Sequence, residues 1–361
     1  MDIDLVLDGG GVRGIGLVGA AAALGEAGYE FRRVAGTSAG AVVGSLVAAG
    51  MSPSDLKSTM RELDYGRFRD GRRADRVPFL GRALTLLVSK GFYAGAYLRT
   101  WLGGLLADLG VRTFGDLRIA ADSNQTLPMR ERYKLVVLAT DVSRGRLVCL
   151  PWDYPLYGLD PDEQPVVDAI RASASIPFFF EPVQLRDASG ETSMLVDGGV
   201  VSNFPVGIFD RDDGCPPRWP TFGVKLSTVS GPPPRRAIAG PVGLALAIVS
   251  TMVSYHEEGV LDRADWQGRT IFVETGEGGN RVDFSIDDAT RDTLYLAGRR
   301  GAQDFLSAWD WNDYLARRPA KTTATVIHPD HEGTDTYEHA NGLRPGPFRL
   351  PSRHATSPTR Y

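Results

Sequence analysis

The sequence predicts an α/β protein, and three observations carry that expectation: short apolar runs end abruptly at glycine-rich turns, a small-residue helical stretch follows each turn, and the unit repeats. The first run, 3–7, stops at Asp8-Gly9-Gly10-Gly11 and leads to a packed helix over 15–24, with Gly25 and Gly28 as stop signals. The second unit is a short strand over 31–35, the turn Gly36-Thr37-Ser38-Ala39-Gly40, and a helix over 41–49 closing at Gly50. Ser52-Pro53 then opens another helix, with Ser at the cap and Pro at the first helical position.

Further along, the pattern predicts a helix over 97–109, a buried strand over 133–140, and a hairpin through Ser143-Arg144-Gly145-Arg146 into a strand over 147–150. A helix over 168–175 is stopped by Pro177 and followed by the aromatic run Phe178-Phe179-Phe180. A strand over 193–196 delivers Asp197-Gly198-Gly199; strands over 221–227 and 269–274 and a long helix over 287–308 complete the pattern. The apolar run 238–253, broken by Gly240, Pro241 and Gly243, is shorter than the roughly 20 residues that cross a bilayer. It reads as a helix that is buried or faces a membrane, burial being the expectation. After about 319 the periodicity is lost, which predicts one domain over 1–318 and a peripheral or disordered tail over 319–361.

Composition narrows the function. Among 361 residues, 40 Lys and Arg face 44 Asp and Glu, so no basic excess exists to neutralise nucleic-acid phosphates. The two cysteines, Cys149 and Cys215, cannot build a disulfide framework or a four-thiolate zinc site and read as reduced structural thiols. The N-terminus carries acids where an export signal needs positive charge, so a cytoplasmic protein is expected. Six arginines (61, 67, 69, 72, 73 and 76) crowd one glycine-containing stretch where regular structure is not expected. Two readings stay open for it: a solvated loop, or a flap that meets anionic headgroups at a membrane surface.

The chemistry concentrates at the glycine turns. Gly36-Thr37-Ser38-Ala39-Gly40 has the nucleophile-elbow pattern, and its setting between a strand and a helix places Ser38 at a helix N-terminus. A serine nucleophile needs a base and an oxyanion hole. The five histidines (256, 328, 331, 339 and 354) lie far downstream, four of them in the irregular tail; His256 is the alternative base, and His328, His331 and His339 the alternative metal ligands. The better-placed base is Asp197, at a strand end before two glycines that leave its carboxylate unobstructed. A carboxylate gives up about 3–4 kcal/mol of proton-transfer driving force relative to histidine, which burial and a strong oxyanion hole must offset. Gly9, Gly10 and Gly11 meet that need by aiming successive N–H groups into one concavity; the competing reading is a nucleotide-type phosphate loop.

These residues resemble a known family, the patatin-like phospholipases. Asp8-Gly9-Gly10-Gly11-Val12-Arg13-Gly14 resembles its oxyanion motif, Gly36 to Gly40 its nucleophile motif, and Asp197-Gly198-Gly199 the motif of its catalytic aspartate. The block from Ala169 to Phe179 is similar to the one preceding that aspartate, and Asn203-Phe204-Pro205 to the segment after it. The resemblance spans about residues 3–310. It implies a three-layer α/β/α fold around a central, mostly parallel sheet, with a catalytic domain over 1–318. It also implies a Ser38–Asp197 dyad, no metal cofactor, and acyl-ester hydrolysis of a lipid or phospholipid of phospholipase A or lysophospholipase type. The oxyanion hole would draw on Gly9, Gly10 and Gly11 with Ala39, supported by Gly36, Gly40, Gly198 and Gly199. Arg13 would either fix the glycine loop by an ion pair or contact a lipid phosphate. Two alternatives remain: a small-ester or thioester hydrolase on the same dyad, and a lipid-binding effector held inactive until a ligand arrives.

Overall fold

Seven of the ten strands among the described residues fall where the sequence predicts strands. A computed structural model describes residues 1–68, 91–93, 95–120, 127–211, 213, 215–227, 264–276 and 286–317, and also 238, 240, 243, 244, 247, 248 and 251. Its strands are β1 (Asp2–Leu7), β2 (Glu30–Thr37), β3 (Gly91–Tyr93), β4 (Leu135–Asp141), β5 (Arg146–Leu150), β6 (Phe178–Phe180), β7 (Val183–Arg186), β8 (Thr192–Asp197), β9 (Thr221–Ser227) and β10 (Thr270–Glu274). The α-helices used below are α1 (Ile15–Glu26), α2 (Ala39–Ala48), α3 (Pro53–Glu62), α4 (Ala96–Asp108), α5 (Val166–Ser173), α6 (Ala264–Gln267) and α7 (Asp288–Ala308). The expected cap is made: Ser52 Oγ accepts the Asp55 N–H at 3.2 Å with Pro53 in the first turn of α3.

The sheet is mixed, in the order β10-β9-β1-β2-β4-β8-β7, with β5 paired to β4 off this path. The five strands from β10 to β4 run parallel, whereas β5, β8 and β7 are antiparallel to their neighbours. Helices lie on both sides, the three-layer α/β/α arrangement. Leu5, Leu7, Val34, Phe222, Leu226 and Val273 share one face by register, and that face carries α1, α2 and α7. There Gly44 of α2 sits beside Leu7 and Val34, Gly16 of α1 beside Leu226 and Val273, and Phe305 of α7 meets Phe222 edge-on at 5.0 Å. The opposite face is covered by the 203–210 segment, with Phe204 and Val206 against Gly223 and Phe209 under Arg33, joined by α6 through Trp266.

Three expectations need correction. Residues 240, 243, 244, 247, 248 and 251 are helical as expected, but Ile238, Leu244 and Ile248 are 56, 51 and 52% exposed rather than buried. The sheet flank at β9 and β10 is already covered by α1 and α7, which leaves this apolar segment outside. The arginine-rich stretch begins in regular structure, because Arg61 belongs to α3 and Arg67 to a short 3₁₀ turn, Tyr65–Phe68. Arg61 pairs with Asp292 at 3.4 Å and Arg67 lies over the Tyr97 ring; arginines 69, 72, 73 and 76 fall outside the described residues, as does the tail after 317. The thiols differ as well: both are free, but Cys149 is buried, and burial pushes its pKa well up, whereas Cys215 is exposed rather than packed in the core. Among the described residues no helix is long and apolar enough to cross a membrane.

Candidate active site

The glycine turns after β1 and β2 stand side by side because their strands are parallel neighbours, Leu7 paired with Gly36. Ser38 caps α2 at φ 53°, ψ −117°, a left-handed conformation that a non-glycine residue holds only where its surroundings impose it, at roughly 1–3 kcal/mol. Its carbonyl accepts the first helical N–H groups, from Ala41 and Val42, while its hydroxyl makes no capping bond. The flanking glycines are required by crowding. A Cβ on Gly40 would lie 2.4 Å from the Leu7 carbonyl oxygen, and one on Gly36 would lie 2.3 Å from the Gly40 main chain.

β4 brings the strand that ends at Asp197 up to the strand that ends before Ser38. Val137 pairs with both Gly36 and Leu150, so β2 and β5 occupy opposite edges of β4; Ala139 pairs with both Val148 and Asp197, so β8 takes the edge opposite β5. Therefore β2 and β8 share one edge and run toward each other along it. Thr37 is in register with Leu138 and Asp197 with Ala139, so the two strand ends abut at the turn that carries Ser38. A Cβ on Gly198 would lie 3.0 Å from Thr37 Cγ2 and 2.5 Å from the Leu138 oxygen, which measures the same closeness from the aspartate side. Asp197 is 6% exposed; its Oδ1 accepts the Gly199 N–H at 2.8 Å, and its own N–H donates to the Ser175 carbonyl at 2.9 Å.

The glycine loop is anchored by a buried charge. Asp8 Oδ1 accepts from Asn203 Nδ2 at 2.6 Å, Oδ2 accepts from the Leu226 N–H at 3.1 Å, and Lys225 Nζ stands 3.7 Å from Oδ2. Asn203 also donates to the Gly9 carbonyl at 2.9 Å, and a Cβ on Gly199 would touch its Oδ1, so one amide links the loop to the aspartate turn. Gly11 has φ 57°, a turn that starts the short 3₁₀ segment Gly11–Gly14; Gly14 in turn packs on Ala39 of the elbow. Arg13 is buried and donates to Thr275 Oγ1 at 3.3 Å, toward the β9–β10 side. The fold thus gathers Gly9, Gly10, Gly11, Arg13, Gly36, Ser38, Ala39, Gly40, Asp197, Gly198 and Gly199 at one end of the sheet. All five histidines lie outside the described residues.

Two groups escaped the sequence reading. Lys225 gives no local signal in a stretch read only as a strand. Ser173 and Ser175 stood in the block after Ala169 without individual roles, yet both are fully buried and contact the Ser38 and Asp197 backbones. The available signal was two hydroxyls at the end of an otherwise apolar helical face.

The patatin-like phospholipase family matches residues 5–210. The chain is 33% identical over 311 residues to the YqhO protein of Bacillus subtilis (strain 168), covering 86% of this chain and 100% of that one. It is 23% identical over 210 residues to the probable lipid hydrolase 463L of Invertebrate iridescent virus 6, covering 56% of this chain and 62% of that one. Among solved structures, VipD from Legionella pneumophila aligns with a TM-score of 0.48 at 19% identity, over 85% of this chain and 67% of that one.

Proposed function

The chain belongs to the patatin-like phospholipase family, and on that premise we propose that it hydrolyses acyl esters of phospholipids or lysophospholipids through an acyl-serine on Ser38. Asp197 takes the Ser38 hydroxyl proton as the oxygen attacks the ester carbonyl carbon. The oxyanion that forms is held by N–H groups of the Gly9-Gly10-Gly11 loop and of Ala39 at the start of α2. As the intermediate collapses, the carbon–oxygen bond to the alcohol breaks and Asp197 returns the proton to that leaving oxygen. Water then gives its proton to Asp197 and attacks the acyl-serine; the fatty acid departs and Ser38 recovers its proton.

The observation that supports this most is the head-on meeting of β2 and β8 along one edge of β4, which sets the Ser38 turn beside Asp197. The strained Ser38 backbone adds to it, since such a conformation persists only where packing enforces it. Ser38→Ala and Asp197→Asn, assayed separately on phospholipid vesicles and on a series of defined esters, test the reading. Each is expected to lower kcat by at least about 10³-fold with the fold intact. Activity retained in Ser38→Ala would overturn the acyl-serine route; activity retained only in Asp197→Asn would return His256 as the base.

A further inference from the structure

Ser38 and Asp197 are both tied to one short stretch at the end of α5. Because Ser38 adopts φ 53°, its N–H turns away from the hydrogen-bond ladders of β2 and α2; buried without a partner it would cost about 1–3 kcal/mol. That partner is a side chain 135 positions away: the Ser38 N–H donates to Ser173 Oγ at 2.9 Å. The Ser173 hydroxyl in turn donates to the Leu138 carbonyl at 2.5 Å. Leu138 is the β4 residue in register with Thr37, and its neighbour Ala139 is the one in register with Asp197. One hydroxyl, used once as acceptor and once as donor, therefore pins the elbow to the place on β4 where the two strand ends meet.

The stretch holds the other partner too. Ser175, two residues on, offers its carbonyl to the Asp197 N–H at 2.9 Å. It is itself fixed, since its hydroxyl accepts from the Arg171 guanidinium, which also donates to the Glu181 carbonyl and lies over the Phe180 ring. Resting on the Ser38–Asp197 reading above, we infer that Ser173 is a positioning residue: its hydroxyl sets the orientation of the Ser38 peptide and hence the distance over which Asp197 takes the Ser38 proton. A second consequence is that the Ser38 N–H is occupied, so the oxyanion must be held by the glycine loop and Ala39 without it.

Misplacing a nucleophile by about 1 Å costs on the order of 10²-fold in rate. Ser173→Ala removes both bonds and is expected to lower kcat about 10- to 100-fold on a soluble p-nitrophenyl ester and on vesicles of equal phosphatidylcholine and phosphatidylglycerol, with KM within about threefold. Ser173→Thr keeps the hydroxyl and should recover kcat to within about fivefold of the parent. Ser45 is the control: equally buried on α2, its hydroxyl donates to the Val42 carbonyl within its own helix, so Ser45→Ala should leave kcat within about twofold. If Ser173→Ala yields no folded protein, Ser173→Cys, with nearly the same volume and a weak sulfur donor, takes its place with the same expected loss. An unchanged kcat in the Ser173 variant, or an equal loss in Ser45→Ala, overturns the inference. Asp197→Asn in the same series separates the two claims: if it is inactive while Ser173→Ala is not, only the positioning role fails, and if it is active the dyad itself fails.

Discussion

The two glycine turns at the C-terminal end of the sheet are built from the same ingredients and held in opposite ways. In the elbow, the missing Cβ of Gly40 faces main-chain atoms of Leu7 and Asp8, and the strained Ser38 peptide is satisfied by a neutral hydroxyl. In the loop after β1, a Cβ on Gly10 would meet the Leu226 side chain and one on Gly9 the Asn203 amide, while the anchor is the buried Asp8 carboxylate with Lys225 beside it. Main chain cannot yield without moving a strand, whereas a side chain can rotate. The elbow is therefore the rigid reference, and the loop is an adjustable part clamped by charge.

The largest effect that would test this contrast is Gly40→Ala. With the nearest obstacle a carbonyl oxygen at 2.4 Å, α2 must be displaced from β1, so we expect activity to vanish and the melting midpoint to fall by several degrees. Gly10→Ala, by comparison, should keep most of its stability; equal damage in the two variants, read by thermal unfolding, would erase the distinction. Next comes Asp8→Asn, which leaves Lys225 buried opposite a neutral group. Breaking one side of a buried ion pair costs about 3–5 kcal/mol, so chemical denaturation should show a clear loss. A stability unchanged within about 0.5 kcal/mol would mean that the clamp is not ionic. The smallest effect concerns no activity at all. Cys149 pairs with Leu138, the residue that anchors the elbow, and its thiol is buried with a raised pKa, so iodoacetamide should label Cys215 rapidly and Cys149 only on unfolding. Comparable labelling rates in native buffer would show that β4 opens beside the elbow.

Much of this architecture follows from local pattern. The strand over 135–141 coincides with an apolar run because a strand buried on both faces needs near-continuous apolar sequence, whereas 30–37 carries Arg32 and Arg33 in its less buried first half and is apolar only where it nears the Ser38 turn. The motifs around Ser38 and Asp197 were readable because their glycines stand in the sequence itself, although the main-chain atoms that require Gly40 and Gly198 belong to β1 and β4. The exposure of Ile238, Leu244 and Ile248 was not readable, since an apolar helix looks the same whether or not a sheet face remains to receive it. Short β3, β6 and β7 were missed for a related reason: three or four residues carry too little period, and only their pairing with other strands makes them strands.

By itself, the sequence determined the α/β class, the glycine turns and the residue types that chemistry requires, because backbone conformation and hydrophobic period act over a few neighbouring residues. What only the tertiary structure decided is which distant atoms complete those turns. That β8 shares an edge of β4 with β2, that Asn203 and Lys225 meet Asp8, and that Ser173 receives the Ser38 N–H are outcomes of strand order and register. Those are set by packing of the whole sheet, and no local stretch encodes them.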